Sequence, residues 1–127
     1  MLGLEIRSTR FPNLIFPILD TLYPNEYSVR MNVFHRTDAF DKWLTGLRDN
    51  KARARIVARL LLAEKGNFGD CEAVGDGVSE MRIHYGPGYR VYYTRRGEVI
   101  YLLLAGGDKS TQKKDIALAL KMAKEWE

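Results

Sequence analysis

The stretch SEMRIHYGPGYRVYY, Ser79 to Tyr93, interleaves Arg82, His84, Arg90 and Tyr92 with β-forming aliphatic and aromatic residues. Arginine's planar fork matches phosphate oxygens. An imidazole of ordinary pKa about 6.5 gives or takes a proton near neutrality. Two guanidiniums, an imidazole and a phenol on one hairpin therefore suit a phosphodiester substrate, and Lys109 arrives from the end of the next apolar run as a further cation. An antiparallel sheet with one solvated face would carry polar residues at the same alternate positions. Spacing alone leaves both readings open.

Register settles which side chains meet. If Gly86-Pro87-Gly88 is the loop, Tyr85 faces Tyr89 and every pairing behind them follows. One face then carries Met81, Ile83 and Tyr85 opposite Tyr93, Val91 and Tyr89. The other carries Glu80 opposite Thr94, Arg82 opposite Tyr92 and His84 opposite Arg90, with cross-strand Cβ separations of about 5 Å.

The elements that must hold this hairpin are readable from Met31 onward. MNVFHR is a short strand, and Thr37 is placed to cap a helix whose first turn holds Asp38 and Asp41. Phe40, Trp43, Leu44 and Leu47 form its apolar face. After RDN a second helix runs from about Lys51 to Lys65, buries Ala52, Ile56, Leu60 and Ala63, and stops at Gly66. A loop around GNFGD precedes strands at Val78 to Tyr85, Tyr89 to Arg95 and Glu98 to Ala105, with Arg96-Gly97 as a two-residue turn. The last of these, EVIYLLLA, is apolar throughout, as a central strand covered on both faces would be. A final helix, capped by Ser110 or Thr111, presents Ile116, Ala119, Leu120, Ala123 and Trp126. The order strand, helix, helix, three strands, helix predicts an α+β fold with an antiparallel sheet.

Other chemistries find little support. GGDKST lacks the full phosphate-loop pattern, because Asp108 stands between Gly107 and Lys109. Lys51, Arg55 and Arg59, with Arg53 alongside, form a basic ridge that reads equally as a solvated face or as a surface for an acidic partner. No Cys/His cluster has zinc spacing, so neither metal nor cofactor is expected, and the single Cys71 cannot form an internal disulfide, which suits a reduced cytoplasm. His35 reads as a surface residue. The formal charge is +4, and since Arg7, Arg10 and Arg30 balance Glu5, Asp20 and Glu26, all of the excess lies in residues 31–127. Residues 1–30 hold three of the four prolines and no sustained period. They read as an extension preceding the domain at 31–127, either a packed strap or, the favoured reading, the product of a start codon assigned too far upstream. Phe11 to Asp20 is interrupted by two prolines and an aspartate and falls short of the roughly 20 apolar residues of a membrane span.

From about Asn32 onward the stretches FDKWLTGLRDNKARARI, GNFGD, GVSEMRIHYGPGYRVYY, GEVIYLLLAGGDKSTQ and DIALALKMAKEWE together resemble the RelE/ParE superfamily of bacterial type II toxins. The resemblance is closest to its HigB-like branch of addiction module killer proteins. It implies a RelE-like α+β fold, an antiparallel sheet with an N-terminal helical hairpin and a C-terminal helix. It implies a neighbouring helix-turn-helix antitoxin, operator DNA reached only through the antitoxin complex, and, for RelE-type members, metal-independent endoribonuclease cleavage of mRNA on the ribosome. Carried over by position, Arg82 and Arg90 would clamp phosphate, His84 would serve as acid or base, Tyr92 as hydroxyl aid or stacking surface, and Lys109 as charge stabiliser. A ParE-like gyrase-binding toxin without nuclease activity, or a decayed toxin acting only in a repressor complex, shares the same resemblance. The chain departs from several relatives in ending KEWE and in carrying Glu80 where some have lysine.

Overall fold

Thr37 opens the first helix as its composition predicts: its backbone is extended and its hydroxyl accepts from the Phe40 amide. The computed structural model describes residues 31–97 and 100–126, so the expectations for residues 1–30 and for Glu98 and Val99 lie outside the described residues. Helix α1 (Asp38–Gly46) and helix α2 (Asn50–Glu64) form the hairpin, the second capped by the Asp49 carboxylate, which accepts from the Lys51 and Ala52 amides. Phe40 and Leu44 on the first, and Ala52, Ile56, Leu60 and Ala63 on the second, are buried where the 3.6-residue period placed them.

Strands β1 (Val33–Arg36), β2 (Cys71–Gly75), β3 (Val78–Ile83), β4 (Tyr89–Arg96) and β5 (Ile100–Asp108) form one sheet in the order β1-β5-β4-β3-β2. All pairings are antiparallel except that of β1 with β5. Strand β5 is interior and covered on both faces, as its unbroken apolar run implies. Helix α3 (Gln112–Glu125) follows a short 3-10 turn at Lys109–Thr111.

The sheet separates two cores. Against the hairpin lie Met81, Ile83, Tyr89, Val91, Tyr93 and Leu103. Against α3 lie Val78, Tyr92, Leu102, Leu104 and Ala105 with Ala119 and Ala123. The odd-numbered residues of β3 and β4 thus form the core face read from the sequence. Their even-numbered neighbours are not a solvated face, however, because α3 covers them. A mixed α+β sheet with a helical hairpin on one side and the C-terminal helix on the other is the expected RelE-like architecture.

Three expectations need correction. Strand β2 stands where no strand is expected, between the GNFGD loop and Val78; it pairs with β3 through a two-residue turn at Asp76 and Gly77, at positive φ of 48° and 79°. The β4–β5 connection is longer than two residues, since Arg96 pairs with Ile100. Trp126 does not continue the buried stripe of α3. The helix ends at Glu125, and Trp126, its extended C-cap, packs edge-on against His35 at 5.2 Å instead. Thr111 holds the N-cap position of α3, as expected, but makes no side-chain cap hydrogen bond; the side-chain cap is made one turn earlier, where the Asp108 carboxylate accepts from the Ser110 amide at the start of the 3-10 turn. No helix among the described residues is long and apolar enough to cross a membrane.

Candidate functional site

The β3–β4 ladder ends at Ile83 opposite Tyr89, so the loop spans residues 84–88 and not 86–88. Inside it the Tyr85 carbonyl accepts from the Gly88 amide at 3.1 Å, closing a turn around Gly86-Pro87. Every predicted cross-strand pair is therefore shifted by two: Arg82 faces Arg90, Glu80 faces Tyr92 and Val78 faces Thr94. A shift of two preserves parity, and the polar residues keep their common face. His84 alone leaves the ladder and stands at the end of the sheet.

On the face under α3, Glu80 is 1% exposed and gathers the row. Its Oε2 accepts from Tyr92 Oη at 3.3 Å and from Gln112 Nε2 of α3 at 2.5 Å, and lies 3.3 Å from Arg90 Nε. Its Oε1 accepts from Arg82 Nε at 3.4 Å. The Arg90 N–H is not aligned for a hydrogen bond to any partner, so its link to Glu80 is an ion pair without the directional bond. Arg82 also reaches Asp70 at 3.9 Å and pairs with Glu72. The two guanidiniums are thus held against internal carboxylates. Tyr92 is fully buried; its ring has no face to offer a base, and burial, with Glu80 and Asp115 nearby, pushes its phenol well above the ordinary range.

His84 is the accessible member, its side chain 71% exposed, with Nε2 2.6 Å from Asp70 Oδ2. That hydrogen bond is the largest cause of a lowered Asp70 pKa. The loop bearing Asp70 is fixed from α2: Arg59 donates to the carbonyls of Arg82 at 2.5 Å, Phe68 at 2.9 Å and Asp70 at 3.3 Å. Gly69, at φ 68°, lies directly against that guanidinium. Asp70 is the residue that sequence reasoning missed as a partner for His84. It ends the GNFGD stretch, but nothing in the spacing of residues 70 and 84 announces their contact.

Lys109 runs along Gly88, which it approaches too closely for a Cβ, and Arg90 Nη1 points to the same spot. Arg82, Arg90 and Gly107 stand in line across three strands, so His84, Arg82, Arg90 and Lys109 share one end of the sheet. A β-bulge between Tyr92 and Tyr93 makes this possible. It changes the parity of β5, so that Gly106 meets Trp43 on the hairpin face while Gly107 meets Asp115 and Thr111 on the α3 face. The two glycines of GGDKST are accordingly packing residues, and the Asp108 carboxylate occupies the turn that a phosphate would need.

The basic ridge of α2 is partly structural. Arg53 caps the end of α1, donating from Nε to the Leu44 carbonyl at 3.3 Å and from Nη2 to the Leu47 carbonyl. Arg55 stacks on the Tyr85 ring, its Cζ 4.5 Å from the ring centre. A separate recess of about 230 Å³, lined by Phe68, Gly77, Ser79, Tyr93, Arg95 and Tyr101, lies at the other end of the sheet.

An exposed imidazole oriented by a carboxylate, beside ion-paired arginines and a lysine, is arranged for proton transfer next to an anion. An uncharacterized protein of Haemophilus influenzae (strain ATCC 51907 / DSM 11121 / KW20 / Rd) is 49% identical over 89 residues, covering 70% of this chain and 90% of that protein. The sequence profile described as phage derived protein Gp49-like (DUF891) matches residues 42–124, a span that holds the second half of α1, all of α2, four of the five strands and most of α3. The chain therefore belongs to the Gp49-like family, a toxin-like family of the RelE/addiction module killer kind that is associated with toxin–antitoxin systems and implies an antitoxin partner.

Proposed function

We propose that this chain is the toxin of a type II toxin–antitoxin pair and cleaves mRNA on the ribosome, as a HigB-like member of the RelE/ParE superfamily. The observation that carries the reading is the His84–Asp70 pair at the end of the cationic row. Asp70, its pKa lowered by His84, is an acceptor only, so the neutral imidazole donates Nε2–H to it and leaves the Nδ1 lone pair for substrate. His84 then takes the proton of the ribose 2′-OH as that oxygen bonds to the adjacent phosphorus, and the 5′-oxygen departs with a proton from solvent water, leaving a 2′,3′-cyclic phosphate and a 5′-hydroxyl. Arg82 and Lys109 offset the charge that builds on the phosphoryl oxygens. Arg90 and Tyr92, buried against Glu80, position the row and do not touch RNA.

The test is induced expression without antitoxin, followed by primer extension on translated transcripts. Codon-associated 5′ ends are expected for the native sequence. His84→Gln should reduce their rate of appearance by about 100-fold or more, and Asp70→Asn, which disturbs the tautomer, by a smaller factor. Intact transcripts together with gyrase-linked DNA breaks would overturn the nuclease reading in favour of a gyrase-binding toxin. Intact transcripts and intact DNA would leave only a repressor role.

A further inference from the structure

Residues 48–65 contain Arg48, Lys51, Arg53, Arg55, Arg59 and Lys65 against Asp49 and Glu64, six cations less two acids, or +4, equal to the net charge of the whole chain. Arg53 and Arg59 are tied to backbone carbonyls, so their charges are fixed in place. Arg48, Lys51, Arg55 and Lys65 are exposed. The field of this helix therefore faces solvent, and it does so beside the loop that carries His84.

Within that field Arg55 is distinctive. Its guanidinium sits 4.5 Å over the Tyr85 ring, against 5.9 and 6.0 Å for the pairs Arg36–Phe40 and Arg95–Tyr101. The guanidinium carbon lies over a half-buried phenol ring, and Arg55 itself is exposed to solvent. Tyr85 is the residue after His84 and is anchored by hydrogen bonds at both its amide, to the Ile83 carbonyl, and its carbonyl, from the Gly88 amide. Arginine planes and aromatic rings are the surfaces on which unstacked RNA bases settle, and a basic groove tracks the phosphates between them.

We infer that the Arg55–Tyr85 stack is a base-stacking subsite for single-stranded RNA, positioned next to His84 and fed by the basic face of α2. The ligand is a single-stranded stretch, one base lying on the guanidinium plane and its neighbouring phosphates drawn along Lys51 and Arg48. The subsite rests on the nuclease reading for its biological purpose, though its binding chemistry stands separately. A duplex, whose bases are already stacked, has nothing to place there.

The experiment is fluorescence anisotropy of the full chain with an end-labelled, mixed-sequence single-stranded RNA of about 12 nucleotides, within the span that such grooves cover. Arg55→Ala and Tyr85→Ala should each weaken binding by about 5- to 100-fold, the equivalent of one lost base stack. Tyr85→Phe keeps the ring and should bind as the native chain does. Arg55→Lys keeps the charge but not the plane, and should fall nearly as far as Arg55→Ala. Lys121→Gln, a charge removed from the exposed face of α3, should change little. Native binding by Arg55→Lys, equal losses in Arg55→Ala and Lys121→Gln, or no RNA bound at all would each overturn the subsite. Cleavage of translated transcripts is scored in parallel. Cleavage that persists while RNA binding ignores Arg55 sinks the subsite alone; Arg55-dependent binding without cleavage by any variant sinks the nuclease reading alone.

Discussion

A carboxylate with 1% of its surface exposed survives as an ion only where cations and donors replace its water, and Glu80 has Arg82, Arg90, Tyr92 and Gln112 around it. The dependence is mutual. Arg90, whose side chain is nine-tenths buried, has Glu80 as its ion-pair partner. Glu80→Gln would leave that guanidinium charged and uncompensated, and should cost about 3–5 kcal/mol of stability by urea unfolding. Replacing both partners, Glu80→Leu with Arg90→Met, should recover most of the loss, because the double change removes the stranded charge along with its counter-ion. If the double variant is as unstable as the sum of the singles, the pair is not coupled. The tyrosines add a pH dependence. Burial raises the phenols of Tyr92 and Tyr93 above their ordinary 10.0, so the stability they contribute is complete below pH 10 and lost as pH rises through the higher folded values. Alkaline unfolding should therefore set in above pH 10, with native-state phenolate absorbance lagging behind that of the unfolded chain. Tyr92→Phe should flatten the alkaline loss. At the acid end the sign reverses: Asp70 has a lowered pKa, so its contribution is present above the ordinary 3.8 and fades as pH falls through the lower folded value.

At the scale of elements, β5 shows how a single bulge decides which residue types are allowed. Gly106 lies flat under the Trp43 ring and Gly107 under the Asp115 carboxylate, and a Cβ at either would overlap its neighbour. Gly106→Ala should destabilise by about 1–3 kcal/mol through overpacking. Gly46, the last residue of α1 with open space around it, makes the control: Gly46→Ala should stabilise, by at most about 0.5–1 kcal/mol, through helix propensity. Equal effects at the two positions, measured by thermal unfolding, would refute the packing account. This is also the scale at which the sequence was most and least informative. Periodicity located both helices of the hairpin, the two faces of β3 and β4, and the double burial of β5, because each follows from which side chains must leave water. It could not place the bulge at Tyr92/Tyr93, which depends on how Trp43 and Asp115 fit the backbone. Nor could it set the β3–β4 register, since a five-residue loop and a three-residue loop keep the same parity. CEAVG lacks the β-branched density of an interior strand, as an edge strand can, yet the Asp76-Gly77 pair behind it was a usable hairpin signal. At the candidate site the row of Arg82, Arg90 and Tyr92 on one face was legible from parity. Parity put Glu80 on that face as well, but not its burial under α3 and its bond to Gln112, nor the Asp70 partner of His84, because these rest on contacts between distant segments.

For the molecule as a whole, the two cores share one sheet and cannot be built independently. Leu103 points into the hairpin core while Leu102 and Leu104, on either side of it, point into the α3 core. Loss of either layer exposes one face of β5 and leaves the other layer packed on a strand without backing. A chain of this size is expected to unfold as one cooperative unit, and the tryptophans allow the layers to be watched separately. Trp43 packs on the hairpin side against Phe40 and Tyr89, and Trp126 lies at the end of α3 against His35. Trp126→Phe leaves the first as reporter and Trp43→Phe the second. Fluorescence from each should give the same urea midpoint as far-ultraviolet circular dichroism of the same variant. Leu103→Ala, which opens a cavity only on the hairpin side, should lower both midpoints together by the equivalent of about 2–5 kcal/mol. If it moves the Trp43 transition and leaves that of Trp126 in place, the sheet does not couple the layers. In that case the row under α3, Arg82, Arg90 and Tyr92 with Glu80, would be free to open while the hairpin stayed folded.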